Sequence, residues 1–259
     1  MYPVLFEIGG FPIQSFGVLC ALGVLAAGQV ASRTFERAGM TRDDGIRAVV
    51  WCMVAGLVGS KLWWLAEQAA RGTLGSLSDG LFSAGGITWY GGLLAGTGAA
   101  LAFSRVQALP LRRVVDALAP AAAMGQAFGR VGCFLVGDDY GRTSDVPWAI
   151  AFPEGLPPTL EPVHPTQLYE VAWLVPVSIW LVWRLGLGLG PGPGRGRSPS
   201  VLGEYLVLTG VGRLWIETLR VNPTLLGPFT NAQLVALGCI ATGAALWIVL
   251  RRRDAAAAA

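Results

Sequence analysis

Seven long apolar stretches alternate with short polar connections along the chain. They lie at about residues 13–32, 46–66, 88–106, 114–136, 166–186, 201–220 and 231–250. A membrane-spanning helix needs roughly 20 predominantly apolar residues, and backbone groups in lipid must bond within their own segment. The pattern therefore predicts an all-α integral membrane protein, a bundle of seven transmembrane helices that forms a single domain over residues 1–259.

The arginines predict the orientation of this bundle, because cytoplasmic connections are enriched in lysine and arginine. Alternate connections carry Arg33, Arg37, Arg42, Arg105, Arg112, Arg113, Arg184, Arg195, Arg197 and Arg251 to Arg253. We expect the N-terminus outside and the C-terminus in the cytoplasm. The stretch 137–165 is then an extracytoplasmic loop, and the glycine- and proline-rich stretch 186–200 is a flexible cytoplasmic linker. The first residues carry no basic leader, so we expect no removable signal peptide.

The composition also indicates a lipid-embedded protein and excludes other classes. Of 259 residues, 53% are hydrophobic and only 14% are charged, whereas about 25% are charged in an ordinary soluble domain. The net charge is +3, and no run of basic residues suggests nucleic-acid binding. The four cysteines lack the spacing of a zinc site and of a disulfide framework, and nothing in the sequence calls for a metal or another cofactor.

Arg130 lies inside the fourth apolar stretch, where a charge requires an explanation. An isolated arginine at the centre of a spanning helix costs about 2.5 to 3.5 kcal/mol, so it usually faces a partner, a water-filled cavity or an anionic substrate. Gly125, Gly129 and Gly132 recur at three- and four-residue spacings and would let a backbone or a lipid headgroup approach closely. A structural ion pair and a binding site are both compatible with this arginine alone.

Arg213, Glu217 and Arg220 lie on one face of the sixth predicted helix, at positions i, i+4 and i+7. Glu217 can form ion pairs with both arginines, but two positive charges and one negative charge leave one positive charge unmatched. An anionic ligand would balance that charge. Farther back, Pro165 suits the first turn of a helix, so His164 is expected mainly to shape that helix entry, and Glu170 is expected to be a satisfied buried carboxylate.

Three blocks of sequence together resemble the prolipoprotein diacylglyceryl transferase family, integral membrane enzymes that lipidate the cysteine of bacterial lipoprotein precursors. The blocks are GRVGCFLVGDDYGR at 129–142, HPTQLYE at 164–170 and GRLWIETLR at 212–220, and the last is followed by Asn222-Pro223 and by Thr230-Asn231. They occur in the family's order and span much of the chain.

The resemblance implies two substrates, phosphatidylglycerol and a prolipoprotein signal peptide with its lipobox cysteine, acting at the lipid bilayer of the bacterial inner membrane. It implies transfer of the diacylglyceryl group to the cysteine thiol, which forms a thioether and releases glycerol phosphate. Arg130 and Arg213 would hold the lipid phosphate, while Glu217 and Asp138 would orient the arginines and the headgroup. The remaining implied site residues are Tyr90 near the reacting centre and Arg220, Gly92, Gly141 and His164 around the substrate.

The chain departs from the family pattern at several positions. Tyr90 stands where the family usually carries a histidine, Phe16 replaces a tyrosine, Cys133 an asparagine and Asp138 a glutamate. A tyrosine with its usual pKa near 10 accepts a proton poorly at neutral pH. Two alternatives follow: a catalytically altered paralogue that binds an anionic phospholipid, and an anion or lipid transporter. The sequence has no internal repeat, which argues against the transporter.

Overall fold

Seven helices form the framework of the part of the chain that the computed structural model describes, which comprises residues 2–73, 75, 80–81, 86, 88–188 and 200–256. The helices are α1 (Ser15–Arg37), α2 (Arg42–Ala70), α3 (Trp89–Val106), α4 (Leu111–Val136), α5 (Thr166–Gly188), α6 (Val201–Glu217) and α7 (Asn231–Ala256). Each covers one predicted apolar stretch. Most of the predicted linker, residues 189–199, lies outside the described residues.

Four of the described helices, α1, α2, α5 and α7, are long and apolar enough to cross a membrane. The chain is therefore a multi-pass membrane protein with a helical architecture. Seven spans, and the direction in which they cross, remain predictions from the sequence.

Three short antiparallel hairpins were not predicted. They are β1 (Val4–Ile8) with β2 (Phe11–Gln14), β3 (Ile150–Phe152) with β4 (Thr159–Val163), and β5 (Thr224–Leu226) with β6 (Phe229–Thr230). They precede α1, join α4 to α5 and join α6 to α7. Tyr2 donates its backbone N–H to Leu135 O at 3.1 Å, and Arg142 donates to Leu219 O at 2.8 Å. The first contact joins the segment before β1 to the end of α4. The second joins the α4–α5 connection to the end of α6, at the same end of the bundle.

Local signals explain where the helices start and stop. Thr41 caps α2, since its hydroxyl accepts from Asp44 N at 3.1 Å while the Asp44 carboxylate accepts from Thr41 N at 3.2 Å. At the other end of the bundle, Gly137 ends α4 in a left-handed conformation with φ +76°, which glycine adopts without strain. The reversal at Gly137 turns the chain toward the start of α5.

Helix α4 is central, since it packs against α1, α5 and α6. Small residues permit the close approach to α1: a Cβ on Gly23 would lie 2.9 Å from Phe128 Cβ. Below this contact Thr34 Oγ1, fully buried on α1, donates to Ala117 O of α4 at 2.7 Å. This packing fixes the position of α4 and therefore of Arg130 near its end.

Candidate active site

A network of six charged side chains lies where α4, α5 and α6 meet. Its members are Arg130 from α4, Asp139 from the following loop, Glu170 from α5, Arg213 and Glu217 from α6, and Arg220 just beyond α6. Four of these residues were expected at the site from the sequence. The structure brings them together with two further carboxylates, Asp139 and Glu170.

Glu170 holds the two arginine-bearing helices together. Its Oε2 lies 2.7 Å from Arg130 Nε, and its Oε1 lies 2.7 Å from Arg213 Nη1. The glutamate side chain is only 6% exposed, so the carboxylate is satisfied by guanidinium groups rather than by water. The interpretation of Glu170 as a satisfied buried carboxylate is confirmed, and Arg130 and Arg213 do converge on one point.

Asp139, rather than Asp138, contacts the arginines. Its Oδ2 lies 2.7 Å from Arg130 Nη1, and its Oδ1 pairs with Arg220 Nη2. From the resemblance, Asp138 was expected to orient the arginines and the headgroup, but the ion pairs with Arg130 and Arg220 are made by its neighbour Asp139. The reason is local geometry: Gly137 at φ +76° and Asp139 at φ +61° reverse the chain after α4, and this reversal aims the second aspartate at the network.

Asp138 lies beside the network instead. Its Oδ1 is buried with no hydrogen-bond partner in the described part of the chain, and its backbone oxygen accepts from Gln167 Nε2. One oxygen of each aspartate and the Cys133 sulfur lie within 4.8 Å of one another. Within the described ranges, Asp138 therefore keeps one buried, unpartnered oxygen next to Asp139.

The face of α6 is organised by Glu217, whose carboxylate is fully buried. Its Oε2 lies 3.0 Å from Arg213 Nη2, and its Oε1 accepts from Asn222 Nδ2 at 2.7 Å and from Thr230 Oγ1 at 2.8 Å. Glu217 pairs with both arginines as predicted, although α6 ends at Glu217 and Arg220 lies beyond the helix. The predicted unmatched positive charge is absent, because Asp139 and Glu170 supply further partners to Arg220 and Arg213. Three guanidinium groups thus face three carboxylates.

Tyr90 lies at the start of α3, and its side chain is partly exposed. Its hydroxyl oxygen accepts a hydrogen bond from Asn231 Nδ2, so the phenol can still donate its own hydrogen. Asn231 directly follows Thr230, which bonds to Glu217. Two consecutive residues, the last of β6 and the first of α7, therefore join Tyr90 to the charged network.

The other expected site residues serve the packing around the network. A Cβ on Gly141 would lie 2.6 Å from Leu219 O, and one on Gly92 would lie 2.7 Å from Ser60 Oγ of α2. His164 accepts from Gly141 N at 2.9 Å through its backbone oxygen, and its ring Nδ1 lies 3.1 Å from Tyr169 Oη. The close approaches at both glycines are to protein atoms.

The two aspartates differ in their titration. Burial raises the pKa of Asp138 above the ordinary value for a carboxyl. Burial also acts to raise the pKa of Asp139, but the guanidinium groups of Arg220 and Arg130 outweigh it and hold the pKa of Asp139 below its usual range. At neutral pH Asp139 is ionised, as its contacts with the two arginines require.

Several polar residues of the site carried no signal of their own in the sequence. Asn222, Thr230 and Asn231 follow α6 and attracted attention only as part of the resemblance, although they bond to Glu217 and Tyr90. The pair Asp138-Asp139 was visible as an acidic turn. The left-handed conformations of Gly137 and Asp139 decide which of the two aspartates contacts Arg130. The amino-acid composition does not reveal these conformations.

Known proteins resemble this chain over nearly its whole length. Residues 3–249 match the family model described as prolipoprotein diacylglyceryl transferase. A protein of Synechocystis sp. named phosphatidylglycerol–prolipoprotein diacylglyceryl transferase is 31% identical over 97% of this chain and 91% of its own. Proteins of the same name are 32% identical in Nostoc sp., covering 97% and 90% of the two chains, and 31% identical in Gloeobacter violaceus, covering 96% and 93%. The chain belongs to the prolipoprotein diacylglyceryl transferase family.

Proposed function

We propose that this protein transfers the diacylglyceryl group of phosphatidylglycerol to the lipobox cysteine of a prolipoprotein. The cysteine sulfur bonds to the glyceryl carbon that carries the phosphate ester, and the carbon–oxygen bond to that phosphate breaks. Glycerol phosphate leaves with the electron pair of the broken bond. The thiol proton is released, so the overall products are the thioether and glycerol phosphate. The reaction requires no metal or redox cofactor. The observation that carries the proposal is the convergence of Arg130 and Arg213, from two helices, on Glu170.

Arg130 and Arg213 are suited to hold the lipid phosphate. Their side chains are 18% and 24% exposed, so each guanidinium keeps an accessible edge beside its carboxylate partners. Arg130 Nη2 has no hydrogen-bond partner among the described residues. A guanidinium binds phosphate oxygens in a planar fork, and fixed positive groups stabilise the charge that develops on the departing glycerol phosphate.

The remaining residues position this pair and the headgroup. Glu217 orients Arg213 and Arg220, and Asp138, next to Asp139, helps to orient the headgroup. Tyr90 donates its phenolic hydrogen near the reacting centre. Gly141 and His164 dock the loop after α4 on the end of α6, and Gly92 seats the start of α3 on α2.

The proposed setting is the bacterial inner membrane, with seven spans, the N-terminus outside and the C-terminus in the cytoplasm. The charged network lies where α4 ends and α5 begins, and Arg142 joins the adjoining loop to the end of α6, whereas the arginine-rich connections lead out of the other helix ends. The extracytoplasmic side is where lipobox cysteines of exported precursors arrive. Phosphatidylglycerol would reach the site from the bilayer.

A depletion experiment tests this function in cells. We expect the gene to sustain lipoprotein maturation and growth in a bacterium whose own diacylglyceryl transferase is depleted. The Arg213→Lys variant should fail to do so at equal expression, because an ammonium group cannot reproduce the planar fork. The control Asp145→Asn removes a charge from an exposed position in the α4–α5 connection and should complement. Growth without matured lipoproteins, or no growth with the unaltered gene, contradicts the proposal.

A further inference from the structure

Two carboxylates bridge pairs of arginines in the network, and they differ in exposure. Glu170 links Arg130 to Arg213 with a side chain that is 6% exposed, whereas Asp139 links Arg130 to Arg220 with a side chain that is 42% exposed. Glu170 belongs to a helix packed into the bundle, and Asp139 belongs to a loop. Water or a ligand can therefore reach the carboxylate of Asp139 more readily than that of Glu170.

The backbone of Asp139 is anchored independently of its carboxylate. Its carbonyl accepts from the buried Thr166 Oγ1 at 2.8 Å, and the neighbouring Asp138 carbonyl accepts from Gln167 Nε2. Both donors lie in the first turn of α5 and are fully buried. The side chain can therefore leave the arginines by rotating about its own bonds, while the loop stays in place.

The charge balance of the ion pairs favours such a movement when an anion binds. The guanidinium groups of Arg130, Arg213 and Arg220 are matched by the carboxylates of Asp139, Glu170 and Glu217. A phosphodiester adds one negative charge, which a site with little water tolerates poorly unless another negative charge leaves. Asp139 is the exposed member of the three carboxylates.

We propose that the Asp139 carboxylate is a displaceable counter-ion that occupies the position on Arg130 taken by the phosphate of the lipid. One carboxylate oxygen of Asp139 contacts Arg130 and the other contacts Arg220, and binding of the headgroup phosphate at Arg130 turns the carboxylate outward to water. Asp139 thereby neutralises the arginines when no lipid is bound. An anionic headgroup must bind Arg130 more tightly than the Asp139 carboxylate does. This rests on the proposed function, since it takes phosphatidylglycerol as the anion.

The test is the affinity of the purified full-length protein for short-chain phosphatidylglycerol, with short-chain phosphatidylcholine as the zwitterionic comparison. Asparagine tolerates the left-handed conformation of residue 139, so Asp139→Asn removes the charge without straining the turn. We expect its Kd for phosphatidylglycerol to fall about fivefold or more, because the lipid no longer competes with a carboxylate. The KM for phosphatidylglycerol should fall in parallel, and the Kd for phosphatidylcholine should not.

Two further variants make the result specific. Asp139→Gly accepts the same backbone conformation and removes the whole side chain, so it should tighten binding in the same direction. Asp145→Asn removes the same charge from an exposed position in the same connection and should leave the Kd unchanged. If Asp139 only held the arginines in position, its replacement would weaken lipid binding. Unchanged or weaker binding of phosphatidylglycerol by Asp139→Asn and Asp139→Gly overturns the proposal.

The proposal and the function on which it rests fail in different ways. If the unaltered protein lipidates a lipobox peptide but Asp139→Asn binds phosphatidylglycerol no more tightly, the counter-ion role is wrong and the transferase stands. If Asp139→Asn binds the lipid more tightly but no variant lipidates the peptide, the counter-ion role stands and the proposed reaction is wrong.

Discussion

Glu170 is the residue on which the two arginine-bearing helices depend most. It bridges Arg130 and Arg213 from a position that is 6% exposed, and removing one member of a buried ion pair costs about 3 kcal/mol or more. We expect Glu170→Gln to lower the thermal unfolding midpoint clearly in detergent. The control Glu161→Gln, at an exposed position of β4, should change it little. Equal midpoints for the two variants would contradict the central role given to Glu170.

Asp139 makes part of the stability dependent on pH. Its pKa in the folded protein is below its usual value because Arg220 and Arg130 outweigh burial. A carboxyl of this kind stabilises the fold fully above its unfolded pKa, near 4, and the stabilisation is lost as the pH falls through the lower folded pKa. The gap in unfolding midpoint between the unaltered protein and Asp139→Asn should therefore be constant from pH 7 to about 5 and close in more acidic buffer. A gap that persists unchanged in acid would show that the ion pairs do not cause it.

At the scale of elements, glycine contacts between α2 and α3 place Tyr90. A Cβ on Gly59 would lie 2.7 Å from Gly91 O, whereas one on Gly98 would have nothing within 4 Å. Gly59→Ala must separate the two helices, so we expect a loss of about 1 to 3 kcal/mol in stability and slower lipid transfer. Gly98→Ala should be nearly neutral in both. Equal effects of the two substitutions on midpoint and rate would show that the α2–α3 contact does not position Tyr90.

The helices could be predicted closely because their signal is local. The apolar stretch predicted at 88–106 corresponds to α3 at Trp89–Val106, and the one at 114–136 to α4 at Leu111–Val136. The three hairpins escaped prediction because their strands are two to five residues long, which is too short for an alternating pattern to stand out.

The residues of the site also differ in whether their sequence signal is local. Arg130 and Arg213 stood out because a charge in an apolar stretch is conspicuous in sequence. The distant partners of Arg213 and Arg220 did not, since Arg213 and Glu170 are 43 positions apart and Arg220 and Asp139 are 81 apart. The charge balance of the network thus depends on tertiary contacts, and the prediction of an unmatched positive charge was wrong for that reason.

In the whole molecule, the charged network must face the outside of the cell if it is to meet the lipobox cysteine. Asp43→Cys at the start of α2 and Asp145→Cys after α4 place one thiol at each end of the bundle, both at exposed positions. A membrane-impermeant maleimide should label Asp145→Cys in intact spheroplasts and Asp43→Cys only after permeabilisation. The unaltered chain supplies the background from its four cysteines. The reverse pattern would invert the orientation and remove the site from the lipobox cysteine.

The most direct measurement is mass spectrometry of a lipobox peptide incubated with the purified protein and phosphatidylglycerol. We expect a diacylglyceryl addition on the cysteine together with released glycerol phosphate. The rate should fall by about 100-fold or more in Arg130→Lys and in Arg213→Lys. Asp145→Asn should match the unaltered protein. A peptide that stays unmodified, or lysine variants that transfer at the unaltered rate, would contradict the claim that these two arginines hold the lipid phosphate for transfer.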